Sequence, residues 1–152
     1  MLVLDLGCGT YCRGDVGVDI QFWYRHPLDQ PEKFDFLFGS RNPYCDRVLA
    51  DLNYPLPFRD EAFDLVLARA VLEHILRPYD LLLEVRRVLR RGGRLKLLVP
   101  NAKVSMSDWR DEEHVYSFTV PTITRLVSKA LRVVKVELLF NEESIYLEAV
   151  KE

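Results

Sequence analysis

Residues 1–20 read MLVLDLGCGTYCRGDVGVDI and place a glycine turn between two short apolar runs. The composition predicts a buried strand over residues 1–6, a tight turn over 7–9, and a second strand over 16–20 that carries Asp19 near its end. Only residues 10–15 separate the turn from the second strand, which is too short a segment for a full crossover helix. We therefore expect two strands joined by a glycine turn and a short loop.

The composition predicts one globular domain that spans residues 1–152. Of these residues 49% are hydrophobic, which is enough for a full core, and the formal net charge is −2. This near-neutral charge does not by itself recruit nucleic acid, so a nucleic-acid partner stays open but lacks support. The chain shows no signal-peptide pattern and no apolar run long enough to span a bilayer, so we expect no membrane partner and a cytoplasmic location.

The cysteines Cys8, Cys12 and Cys45 are odd in number. Cys8 and Cys12 are close in sequence, but no further Cys or His pair completes the spacing of a zinc site, so we expect no metal site. Reduced thiols in a cytoplasmic protein are therefore favoured over a disulfide scaffold.

Strand and helix patterns alternate along the rest of the chain. Apolar runs predict strands over 47–51, 63–68, 94–100, 131–140 and 144–150. Helical spacing of apolar residues predicts helices over 78–90 and 120–131, and Gly92 and Gly93 are expected to stop the first. The segment 21–46, which contains FDFLFGS, predicts a short strand or a packed loop. The alternation indicates an open, mainly parallel α/β sheet, whose ligands bind at the carboxyl ends of the strands.

Two classes of ligand use a glycine turn followed by a strand that ends on an acid: dinucleotides and S-adenosylmethionine. The dinucleotide fingerprint requires a third glycine and a helix whose N-terminus faces the pyrophosphate. Here Cys12 occupies the third glycine position, and residues 10–15 leave little room for that helix. S-adenosylmethionine carries no phosphate, so its binding does not require this helix.

The motifs occur in the order found in a known family. They are LDLGCGT, GVDI, ADLNYPLPF, FDLVLARAVLEHI, LEVRRVLRRGGRLKLLVPN and EHVYSFT. In this order they resemble the class I S-adenosylmethionine-dependent methyltransferases, and among these the group called methyltransferase type 11. The resemblance implies a Rossmann-like fold with a mostly parallel seven-stranded sheet and an antiparallel last strand. The chain departs from the family's pattern in two places, because we expect the N-terminal helix and most of the first crossover helix to be missing.

The resemblance implies S-adenosyl-L-methionine as the cofactor and a set of residues that bind it. Four residues around the glycine turn would approach its methionine part: Asp5, Gly7, Cys8 and Gly9. Five further residues would contact its ribose and adenine or line the floor under its sulfonium: Asp19, Ile20, Asp51, Leu52 and Ala68. Among these, Asp19 would accept from the ribose hydroxyls and Asp51 from the adenine amino group, because strand-end carboxylates can accept from a diol or an amine. Either acid taken alone predicts only a solvated turn residue.

Methyl transfer from a sulfonium is an in-line displacement, so the protein mainly aligns the acceptor with the methyl group and a general base is optional. His114 and His74 are the candidate bases. His74 fits better as a residue that caps or buttresses the helix beneath the site, and we favour His114 as the base.

The sequence therefore predicts S-adenosylmethionine-dependent methyl transfer to an unidentified acceptor. The alternative is a catalytically silent copy of the fold that acts as a binding or regulatory partner, and a dinucleotide oxidoreductase is a more distant third. In the fold that the chain resembles, the third strand lies at the edge of the sheet. Because an unpaired edge invites another chain, we expect a homodimer or a small partner protein there.

Overall fold

The computed structural model describes residues 1–21, 30–105 and 113–152. The strands, in chain order, are β1 (Val3–Leu6), β2 (Val16–Asp19), β3 (Asp46–Leu49), β4 (Phe63–Arg69), β5 (Leu89–Pro100), β6 (Arg132–Leu139) and β7 (Ser144–Val150). They form one seven-stranded sheet in the order β3-β2-β1-β4-β5-β7-β6. Strands β1 to β5 pair in parallel, and β7 runs antiparallel to both of its neighbours. The predicted fold class is confirmed.

Two helices cover one face of the sheet, namely α2 (Pro78–Val88) and α3 (Val120–Ser128), numbered after the shorter α1 described below. Their buried apolar residues pack against sheet residues such as Leu4, Val66 and Leu97 in the main core. Thr119 caps α3 through a capping box with Thr122, which fixes where the helix begins. Helix α2 ends at Val88 and β5 begins at the next residue, so the predicted extension of this helix to residue 90 was wrong. There the chain pairs again with the sheet, because Gly92 N donates to Lys151 O at 2.7 Å.

The opposite face of the sheet has a thinner cover, a 3₁₀ turn (Pro31–Phe34) that continues into the one-turn helix α1 (Asp35–Phe38). Phe34, Leu37 and Phe38 pack there against Leu67, Leu98 and Tyr146. The FDFLFGS stretch was expected to be a short strand or a loop, and the structure corrects this expectation. Strand alternation would bury Phe36, yet its side chain is 69% exposed. Spacing i, i+3, i+4 instead puts Phe34, Leu37 and Phe38 on one helical face.

Residues 7–15 contain no helix, as the short spacing predicts. The side chain of Arg13 holds this loop in place, donating Nε to Gly39 O at 2.9 Å and forming an ion pair with Asp35 at 3.3 Å. The backbone N of Arg13 donates to Asp5 Oδ2 at 2.8 Å. The loop is therefore attached both to β1 and to the thin cover.

Cys12 and Cys45 form a disulfide, so the expectation of three reduced thiols was wrong, and only Cys8 is a free thiol. The pairing follows from the parallel register of β2 and β3, which sets Val16 opposite Asp46 and brings the segments before both strands together. The disulfide removes the cysteine-based reason for expecting a cytoplasmic location. Within the described residues, no helix has the length and apolar character needed to cross a membrane.

Candidate cofactor site

The glycine turn lies where β1, β2 and β4 end. Gly7 N donates to Val18 O at 2.8 Å, and both Gly7 and Gly9 have positive φ, of 63° and 55°. These are left-handed conformations that favour glycine. A Cβ on Gly7 would lie 2.7 Å from Val71 Cγ2, just beyond β4. The turn thus has both a conformation and a close approach that demand glycine.

Asp19 accepts two backbone hydrogen bonds around the turn. Its Oδ2 accepts from Gly9 N at 2.8 Å and its Oδ1 from Ile20 N at 2.7 Å. The sequence predicts Asp19 as an exposed acid at a strand end that binds the ribose. The carboxylate is instead half-buried, and it also holds the turn in place. Each carboxylate oxygen retains a second lone pair that a ribose hydroxyl can use. Ile20 beside it is 64% exposed, which leaves an apolar surface for a flat ring.

Burial changes the proton affinity of two residues of the turn region. Asp5 is 4% exposed, and desolvation raises the pKa of its carboxyl to about 6 although the Arg13 N–H and the Arg13 and Arg69 charges lower it. Desolvation likewise raises the pKa of the Cys8 thiol to about 12, assisted by the negative charges of Asp5 and Asp19. Cys8 therefore remains a protonated thiol, which is a poor nucleophile and a small apolar wall of the turn.

Ionisation of Asp5 is expected to destabilise the fold as the pH rises. An ordinary Asp titrates near a pKa of about 3.9, so between about pH 4 and 6 the folded state binds more protons than the unfolded state. The free energy of unfolding then falls across this window, by on the order of 3 kcal/mol. Asn at this position can still accept from Arg13 N. We expect Asp5→Asn to be more stable than the parent at pH 7.5 and to lose this advantage at pH 4.

Urea unfolding of the parent and Asp5→Asn at both pH values measures this difference. Asp46→Asn removes an exposed acid at the start of β3 and serves as the matched control, whose effect on stability should not change between the two pH values. A constant difference between Asp5→Asn and the parent would show that Asp5 titrates normally.

The remaining predicted cofactor residues occupy neighbouring strand ends. Ala68 is buried and pairs in register with Leu6, directly before the glycine turn. Asp51 is exposed, and its Oδ1 accepts from the Asn53 backbone N at 2.9 Å and from Asn53 Nδ2 at 3.0 Å. Leu52 is buried in the core. The structure places these side chains at the carboxyl ends of β3 and β4, and their contacts with a cofactor stay a prediction.

Arg47 belongs to this region although the sequence alone does not predict a role for it. It donates Nη1 to Gly9 O at 2.7 Å and Nη2 to Thr10 O at 3.2 Å. It lies on β3 opposite Gly17, so its proximity to the turn depends on the register of β2 and β3. No sequence motif marks it, because this register is a tertiary feature.

The two candidate bases come together at the end of β4. Ala70, with φ of 54°, turns the chain from β4 into a 3₁₀ turn (Leu72–His74). The His74 and His114 rings meet edge to face with centroids 4.6 Å apart. The backbone of Val115 donates to Glu73 O at 2.8 Å, which ties the two segments together. The structure thus groups both histidines near the strand ends, and their catalytic role stays a prediction.

Comparison with known proteins supports the resemblance. Residues 27–97 match the Methyltransf_11 family model, which describes a methyltransferase domain. A relative from Hahella chejuensis, a tRNA U34 carboxymethyltransferase, is 36% identical over 104 residues, which are 62% of this chain and 31% of that protein. The chain thus spans about a third of the length of that relative.

Solved structures match the whole chain at low sequence identity. A Burkholderia thailandensis 1,6-didemethyltoxoflavin-N1-methyltransferase with bound S-adenosylhomocysteine has a TM-score of 0.66 and 19% identity, with 98% of this chain and 70% of that chain covered. A chain from the complex between the Haloferax volcanii Trm112 methyltransferase activator and a methyltransferase has a TM-score of 0.70 and 14% identity. The match covers 97% of this chain and 81% of that chain. The chain has the class I S-adenosylmethionine-dependent methyltransferase fold, and its residues 27–97 match the methyltransferase domain of the type 11 family.

Proposed function

We propose that this protein binds S-adenosylmethionine at the glycine turn and transfers its methyl group to an acceptor by in-line displacement. One observation carries the proposal: the glycine turn and Asp19 are joined by a hydrogen bond at the carboxyl ends of β1 and β2. Among the described residues, 7–15 include no helix whose N-terminus could face a pyrophosphate. This arrangement favours a nucleoside without phosphates over a dinucleotide.

Each residue of the site has a chemical role in this proposal. Asp5 and the backbone of the glycine turn bind the charged amino-acid end of the ligand. The ammonium group of that end favours the ionised form of the Asp5 carboxyl. Asp19 accepts from the ribose hydroxyls through its remaining lone pairs, and the exposed side chain of Ile20 covers one face of the adenine. The bound cofactor supplies an electrophilic methyl group on a sulfonium, so the chain has to align an acceptor and exclude water.

The acceptor is a small molecule, a nucleic acid or a protein. The Hahella relative acts on tRNA by its name, which makes tRNA a reasonable first substrate to assay. The basic cluster at the end of α2 and the start of β5 gives this choice no support. Four of its arginines already contact groups within the chain: Arg86 binds Ala130 O, and Arg87, Arg90 and Arg94 pair with Asp60, Asp64 and Glu148.

A second chain at the β3 edge forms part of the proposal. Strand β3 lies at one edge of the sheet, and Leu49 at its end is 65% exposed. Tyr54 and Leu76 expose apolar surface next to a cavity of about 680 Å³. Among the described residues no strand pairs with the outer side of β3, and an open edge on a chain with exposed apolar residues suits a homodimer or a small partner protein. Light scattering that finds a fully active monomer would contradict this part.

Isothermal titration calorimetry with S-adenosylmethionine, S-adenosylhomocysteine and NAD tests the cofactor assignment. We expect the parent protein to bind the first two and not the third. Asp19→Ala should weaken both by roughly tenfold to a hundredfold, because a hydrogen bond to a charged acceptor contributes about 1.5–3 kcal/mol. It should also lower the melting temperature without ligand, since the Gly9 and Ile20 N–H groups lose their acceptor.

Asp60→Asn is a control at the opposite end of the sheet and should bind as the parent does. Binding of NAD alone would replace the proposal with the dinucleotide alternative. Binding of S-adenosylmethionine without turnover across small-molecule, tRNA and protein acceptors would favour the catalytically silent alternative.

A further inference from the structure

We propose that Glu73, His74 and His114 form a binding site for a divalent transition-metal ion. One carboxylate oxygen of Glu73 and one ring nitrogen of each histidine lie within 4.8 Å of one another. The sequence predicts no metal site, because no Cys or His pair has zinc spacing. These ligands come from two distant segments, which only the folded chain brings together.

The distances suit a metal after a small closure of the side chains. Transition-metal ions bind imidazole nitrogen and carboxylate oxygen at about 2.0–2.2 Å, so two ligands of a tetrahedral ion are about 3.4 Å apart. The three ligand atoms would therefore approach one another by at most about 1.4 Å. The side chains of His74 and His114 are half-buried and adjoin at their rings, so a modest rotation can supply this movement.

A hydrogen bond of the His74 ring leaves its other nitrogen available to bind a metal. Its Nδ1 lies 3.1 Å from Glu113 O, and because a carbonyl can only accept, Nδ1 is the protonated nitrogen. In the neutral ring Nε2 then carries the lone pair that binds a metal. A backbone carbonyl that fixes the tautomer in this way is a common outer partner of metal-bound histidine.

The backbone holds the two segments in register. Glu73 O accepts from Val115 N at 2.8 Å and from Tyr116 N at 3.1 Å, and Tyr116 Oη donates to Leu76 O at 3.0 Å. Glu73 itself is 1% exposed, and a cation is a favourable companion for a carboxylate that has lost its water. These contacts position the candidate ligands before any ion binds.

Two imidazoles and one carboxylate match a known ligand set of first-row transition metals, and they leave coordination positions for water or a substrate oxygen. Val71, two residues before Glu73, touches the position where Gly7 would carry a side chain. The site therefore adjoins the candidate cofactor site beyond the carboxyl end of β4. An ion there would bind an oxygen of the acceptor and favour its deprotonated form.

Metal binding can be tested without any activity assay and does not depend on the proposed methyl transfer. Metal-free protein is titrated with Co²⁺, and its visible absorption reports ligand type and stoichiometry. We expect one Co²⁺ per chain, without thiolate-to-metal charge transfer, and competition by Zn²⁺. Glu73→Gln and His114→Gln should each weaken binding at least tenfold, because each removes one of three protein ligands.

Two variants serve as controls. Asp80→Asn removes an exposed acid at the start of α2, and His26→Gln removes the third histidine, which lies outside the described residues. Neither should change Co²⁺ affinity. Melting curves of the metal-free variants establish that they fold. If Glu73→Gln does not fold, the effect of His114→Gln on Co²⁺ affinity decides the test. No Co²⁺ binding by the parent, or binding that His114→Gln leaves unchanged, would overturn the proposal.

Discussion

Gly7→Val is expected to abolish binding of S-adenosylmethionine and also to lower the stability of the protein. The left-handed conformation of Gly7 costs about 1–2 kcal/mol for a residue with a Cβ. The added atoms would meet the Val71 side chain at 2.7 Å, and such overpacking costs about 1–3 kcal/mol. In a domain of this size, each kcal/mol lowers the melting temperature by about 2–4 °C. Binding fails because the shifted turn no longer presents Gly9 N to Asp19.

A pair of milder variants separates strain from crowding. Gly7→Ala should lose stability through both effects, and adding Val71→Ala should remove only the crowding. Calorimetry of ligand binding and thermal unfolding measure the two consequences in one set of proteins. Unchanged affinity of Gly7→Val for S-adenosylmethionine would show that the turn does not bind the cofactor.

Reduction of the Cys12–Cys45 disulfide is expected to lower the melting temperature by about 10 °C. The bond closes a loop between cysteines 33 residues apart, and the chain-entropy relation assigns such a loop about 3–4 kcal/mol of stabilisation. It also attaches the loop after the glycine turn to the start of β3. Reduction should therefore weaken cofactor binding as well, since residues 10–15 lose one of their attachments.

Thermal unfolding with and without a phosphine reductant measures this effect. The variant Cys12→Ser/Cys45→Ser should match the reduced parent and show no further response to reductant, which makes it the matched control. Equal melting temperatures of the oxidised and reduced parent would indicate that the disulfide contributes nothing to the fold.

Local sequence predicts those parts of the structure that depend on local interactions. The apolar run of β4 and the helical spacing of α2 each identify an element within one window, and the turn at residues 7–9 needs only its glycines. FDFLFGS misleads because its alternating Phe residues resemble a strand, while burial of Leu37 is decided by the sheet beneath it. Exposure of Phe36 is the physical sign that the helix prevails.

The features that escaped prediction all join residues that are distant in the chain. The Cys12–Cys45 bond and the Arg47 contacts depend on the register of β2 and β3, and the contact of His74 with His114 requires two separate segments to meet. The second role of Asp19 depends on the exact path of the turn backbone. Residue type alone identified Asp19 as important, and only geometry shows that it also accepts from the turn itself.

The unequal cover of the sheet has a consequence for hydrogen exchange. Arg13 holds the 3₁₀ turn and α1 to the loop, and we expect this thin cover to open at a lower free energy than the whole domain. Asp5 lies on the same face of β1 as Val3, which packs in that thin layer. Opening hydrates the Asp5 carboxylate, and hydration favours its ionised form. Base therefore promotes this opening, so the protection of the sheet amides depends on the protonation state of Asp5.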